Sequence, residues 1–120
     1  MIRVGIPRFR PSSLFIRPRD FGRSDRPAYA PKSNLSPSER AWALYQHEVA
    51  YAVLTELERR RLPISALSQG LGKDYDWLLR KLYGRVPADL GEMFEWTLFL
   101  DLADSPRLTF ASRTAPYYSR

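Results

Sequence analysis

The 120-residue chain contains no cysteine, so neither a disulfide framework nor a thiolate metal site is open to it. It has one histidine, His47, and the HEVAY around it lacks the second histidine of a zinc-protease helix. No apolar run approaches the roughly 20 residues that a bilayer-spanning helix needs. The stretch MIRVGIPRFR carries arginines and prolines where a signal peptide would carry an apolar core. A cytoplasmic protein without a membrane partner is therefore expected. Gly70-Leu71-Gly72-Lys73 is too short and wrongly composed for a phosphate-binding loop. Asp20-Phe21-Gly22 spells a kinase metal-binding triplet, but no glycine-rich or catalytic loop accompanies it. The carboxylates are scattered at helix starts and polar faces rather than paired in an apolar setting. These absences argue against an enzyme, and no cofactor, metal or small-molecule ligand is evident.

What is present is an uneven distribution of charge. The formal net charge is +6. Residues 1–35 carry eight cationic side chains against Asp20 and Asp25. Residues 36–104 carry eight against eleven carboxylates, and residues 105–120 carry Arg107, Arg113 and Arg120 unopposed. Attraction to a polyphosphate would thus draw mainly on the two ends.

Three segments are expected: a basic proline-rich extended arm over 1–35, an all-α domain over 36–104 and a basic tail over 105–120. Apolar residues make up 44% of the chain, enough for one small domain with a modest core. In the arm, Pro7, Pro11, Pro18, Pro27 and Pro31 are too closely spaced for a helix to propagate. Its Phe9, Phe15, Phe21 and Tyr29 are expected to dock on the domain or on a partner.

Ser36-Pro37-Ser38-Glu39 has the spacing of a capping box with proline at the first helical position. A long helix is expected from there to about Arg61, stopped by Pro63. Trp42, Tyr45, Val49, Val53 and Leu57 form one apolar stripe, and Leu44, Tyr51 and Leu54 add a second side. A helix apolar on two sides must be covered on both, by the arm, the tail or a second copy of the chain. Arg59, Arg60 and Arg61 complement the dipole at its end.

Shorter helices follow. Ser65 is expected to cap ALSQGL, which Gly72 ends. Asp74 is expected to cap a helix over 74–83 that Gly84 closes. Asp89 and Glu92 repeat the capping spacing before LGEMFEWTLFLDL. There Leu90, Met93, Phe94 and Thr97 are expected to face one way, with Trp96 and Leu100 beside them. Within this region Leu67 and Leu71 can pack against Leu78 and Leu82, with Ser68 as the small residue at the crossing. Trp77, beside two leucines, is expected to pack at the core or its flank.

The segment ISALSQGLGKDYDWLLRKLYGR, followed by PADLGEM, resembles the phage-repressor-like helix-turn-helix family. The resemblance covers about a third of the chain. It implies a bundle of four to five helices in which residues 74–83 enter the major groove of duplex DNA. Aligned on Gly72 and Leu78, the base-reading positions fall on Tyr75, Asp76 and Arg80. Lys73 and Asp74 would lie near the phosphate backbone, with Arg85 just past the helix also placed for phosphate. Locally Lys73, Arg80, Lys81 and Arg85 outnumber Asp74 and Asp76. The resemblance also implies a transcriptional regulator and a homodimer, for which the long helix 37–61 offers a surface.

Other readings stay open. Asp76 and Arg80, one turn apart, also form an ordinary surface pair worth about 0.2–0.5 kcal/mol. The net acidic domain and the apolar arm suit a structural or adaptor protein of a multi-chain assembly. Alternatively the basic ends alone bind nucleic acid without sequence preference.

Overall fold

The computed structural model describes residues 9–102. The expected tail 105–120, together with residues 1–8 of the arm, lies outside the described residues. The fold is all-α: α1 (Pro37–Arg59), α2 (Ile64–Leu71), α3 (Tyr75–Leu82) and α4 (Leu90–Phe99). Two short 3-10 turns at Pro11–Leu14 and Pro18–Asp20 precede them. No described helix is long and apolar enough to cross a membrane.

Helix α1 begins as its sequence dictates. The Ser36 hydroxyl accepts the Glu39 amide at 3.2 Å, and the Glu39 carboxylate accepts the Ser36 amide at 2.9 Å. It ends two residues sooner than the proline suggests. Arg61 adopts a left-handed φ of 56°. Its amide reaches the Glu58 carbonyl at 2.9 Å, and that of Leu62 reaches the Leu57 carbonyl at 2.8 Å. This hydrogen-bond pattern closes the helix whether or not glycine is present. Pro63 instead precedes α2 as its N-cap and offers no side-chain acceptor. Ser65 is therefore not the cap; it lies inside the first turn, where its carbonyl accepts the Ser68 hydroxyl at 3.0 Å.

Both apolar sides of α1 are covered by the same chain. Phe15 and Phe21 are fully buried and share one core with Val49, Val53, Leu57, Leu78, Leu82 and Trp96. Burial of each such phenylalanine contributes about 1.5–3 kcal/mol. Phe9 meets Trp42 edge-on at 5.4 Å between ring centres. Residues 9–35 thus pack as part of the globule along α1. The surface of helix 37–61 that suggested a homodimer is occupied largely by the chain itself.

Two consecutive polar residues make that packing specific. Gln46 is fully buried. Its Nε2 donates to the carbonyls of Lys81 at 2.7 Å and Val86 at 3.1 Å, while Oε1 accepts the Ala88 amide at 2.8 Å. His47, also fully buried, accepts the Gly22 amide at Nδ1 over 2.9 Å, which puts the proton of its neutral ring on Nε2. Trp42 Nε1 adds a bond to the Ala88 carbonyl at 2.7 Å.

Helix α4 buries Met93, Trp96, Thr97 and Leu100. Leu90 and Phe94, expected on that face, are exposed, and Leu98 is 72% exposed. The shift follows from what α4 packs against. Phe99 lies over Gly70 of α2, where a Cβ would collide with its ring. Lys81 pairs with Glu92. Arg60 Nη2 reaches the Leu100 carbonyl at 2.7 Å, joining the ends of α1 and α4.

Two outcomes test this packing. Gln46→Leu, which takes a side-chain partner from the Val86 carbonyl, the Ala88 amide and the Lys81 carbonyl, the last still held by the Gly84 amide, lowers unfolding stability by about 3 kcal/mol in urea titration. Glu56 accepts hydrogen bonds from Arg59 and Arg60, both at 2.6 Å in their closest pairs. These bonds lower its pKa from the usual 4.5 to about 2. A depressed carboxylate stabilises the fold above its unfolded value, and that contribution is lost as pH falls through the folded one. The stability difference between the wild type and Glu56→Gln is therefore present above pH 4.5 and closes towards pH 2.

Candidate nucleic-acid interface

The α2–α3 unit rests on one turn. Gly72 has φ 64°, and the amides of Gly72 and Lys73 reach the carbonyls of Gln69 at 3.2 Å and Ser68 at 2.9 Å. Asp74 then caps α3 by accepting the Trp77 amide at 3.0 Å. With the cap set, the 3.6-residue period carries Leu78 and Leu82 inward, 2% and 0% exposed. Leu67 of α2 is buried with them, Leu71 packs partly against the core, and Ser68 sits buried between.

The first turn of α3 and Arg80 face outward. Lys73, Asp74, Tyr75, Asp76, Trp77 and Arg80 are all exposed, as is Arg85 beyond the helix. The six residues expected at a DNA interface are thus brought together on one short helix and its flanks. Eight residues of helix span about 12 Å, comparable to the width of a major groove. Among the described residues no ion pair joins Asp76 to Arg80, so the surface-pair reading of that spacing is not realised.

Of the two expected places for Trp77, core or flank, the structure gives the flank, with the residue 42% exposed. The Lys81 ammonium lies 4.0 Å from the centre of its ring, held there by Glu92 of α4. Lys81 is itself only 3% exposed. Its charge is spent inside the protein, so of the four cations between residues 73 and 85 it is Lys73, Arg80 and Arg85 that stay exposed. The reason lies in α4: Glu92, through its other carboxylate oxygen, also accepts the Asp89 amide at 3.1 Å, so one side chain caps α4 and ties it to α3.

The C-terminal end of α3 is built with the help of residues far away in sequence. Gly84 has φ 71°, and its amide and that of Arg85 reach the carbonyls of Lys81 at 3.2 Å and Arg80 at 2.8 Å. The Phe21 ring lies 2.6–2.8 Å from where a Gly84 Cβ would stand. The Ser12 amide donates to the Gly84 carbonyl at 2.8 Å. Arg23, from the same turn as Phe21, stacks its guanidinium 3.9 Å from the centre of the Tyr83 ring. Neither Arg23 nor Tyr83 carries a local sequence signal, because their meeting depends on Gly22 docking at His47.

No family model matches the chain, and no curated protein or solved structure matches it either.

The two helix-closing glycines separate strain from collision. A Cβ at Gly72 meets nothing within 4 Å, so Gly72→Ala costs about 1–2 kcal/mol, the left-handed penalty alone. Gly84→Ala must also displace Phe21 and costs about 1–3 kcal/mol more. Urea unfolding of the two variants measures the gap.

Proposed function

We propose that the protein binds duplex DNA sequence-specifically through α3 and acts as a transcriptional regulator. The observation that carries the reading is the division of α3 into two faces. Leu78 and Leu82 are buried, while Tyr75, Asp76 and Arg80 stand exposed with Lys73 and Arg85 at the helix ends.

The chemistry of that ridge suits base edges. Arg80 offers two parallel N–H donors to guanine O6 and N7. Asp76, without an ion-pair partner among the described residues, offers an acceptor to a cytosine amino group. Tyr75 contacts a thymine methyl or a phosphate. Lys73 and Arg85 meet the backbone, which fixes register without carrying sequence information. Asp74 is spent on its cap and serves by shaping the helix start.

The apolar surface of α4 favours a second reading for another part of the molecule. Leu90, Phe94 and Leu98 are exposed at four-residue spacing, with Phe99 beside them. Such i, i+4 ridges are the ones by which helices most often interdigitate. A protein contact of an adaptor kind, or the pairing of two copies on a two-fold DNA site, would use this stripe rather than α1.

Selection from a random duplex pool tests the DNA reading. The wild type enriches one site. Arg80→Ala loses about 1–3 kcal/mol on that site and relaxes preference at one base pair. Unchanged site selection by Arg80→Ala would remove it from the reader's role.

A further inference from the structure

The docked turn at residues 20–24 adds a cation to the end of α3 that no local motif announces. Three contacts fix the turn. The Gly22 amide is held by His47, a Cβ on Gly22 would stand 2.7 Å from the Leu82 carbonyl, and the Phe21 ring fills the space over Gly84. Arg23 follows directly. It is exposed, and its guanidinium carbon sits over Tyr83, 3.9 Å from the ring centre. Tyr83 is the residue that ends α3.

Asp20 and Asp25 lie close to Arg23 in sequence, but ion pairs among the described residues join Arg59 and Arg60 to Glu56 and Lys81 to Glu92. Arg23 and Arg85 take part in none of them. The opposite end of α3 carries Asp74 and Asp76 beside Lys73. A polyanion laid along α3 therefore meets its strongest attraction at the C-terminal end. Stacking on an aromatic ring leaves the edge N–H groups of a guanidinium free to donate, and that fork fits phosphate oxygens.

We propose that Arg23, held on Tyr83, forms with Arg85 a binding site for DNA backbone phosphate at the C-terminal end of α3. The proposal rests on α3 being the groove helix. It gives residues 9–35 a role distinct from that of a free arm: they supply a phosphate contact from a turn packed against the core. The contact positions the duplex and reads no bases.

The test is the salt dependence of affinity for two duplexes of equal length, the selected site and a random sequence. Each phosphate neutralised contributes about 0.9 to the slope of log K against log salt. Arg23→Ala lowers the slope by roughly one on both duplexes, with equal fold losses and intact site preference. Arg23→Lys, which keeps the charge, keeps most of the slope. Arg40→Ala, removing an exposed cation on α1, leaves it unchanged. A wild-type slope in Arg23→Ala overturns the proposal, as does an equal loss in Arg40→Ala, which would mean diffuse attraction. In either case relaxed selection by Arg80→Ala still upholds α3 as the reader. Failure of the wild-type chain to bind either duplex sinks both.

Discussion

Gln46 lies wholly inside the protein, where each amide group left without a partner would cost roughly 1–3 kcal/mol. Its partners are backbone groups of Lys81, Val86 and Ala88, so the end of α3 and the loop into α4 are pinned to the middle of α1. The next residue, His47, takes the Gly22 amide and pins the preceding segment. Two adjacent polar side chains on one helix thereby decide where both neighbours sit. The apolar core supplies most of the stabilisation, but hydrophobic contact has no direction, and these bonds do.

The outward face of α3 follows from that anchoring. Once the helix end is held at Lys81 and its start is capped by Asp74, its rotation is set, and the leucines at 78 and 82 can only point inward. Electrostatics follow too. Lys81 faces α4 and is neutralised by Glu92, which removes a cation from the ridge. Arg23 comes from the other side and restores one at the helix terminus. The net result is a helix polarised along its length, acidic at the start and basic at the end.

The features set by local chemistry were legible in the amino-acid sequence. The Ser36 and Asp89 capping boxes, the Asp74 cap and the Gly72 and Gly84 terminations each involve residues a few positions apart, and all are present. The exposed ridge was legible for the same reason, because helical period alone separates residues 76 and 80 from 78 and 82. Features that depend on distant partners were not. Nothing near Lys81 announces Glu92, and nothing near Arg23 announces Tyr83. On α4, Leu90 and Phe94 have the pattern of core residues, yet packing of Phe99 over Gly70 and of Trp96 into the core turns them to solvent. Arg61 and Asp101 close helices in left-handed conformations where composition suggests glycine, a choice that tertiary packing makes.

The most direct test of the central claim, that α3 is the face the protein presents to DNA, is a map of backbone amide NMR shifts during titration with a selected duplex. The account predicts perturbations concentrated at residues 73–85 and in the turn 20–24, with Leu90, Phe94 and Leu98 unaffected by the duplex itself. Perturbations centred on α4 with α3 silent would contradict it.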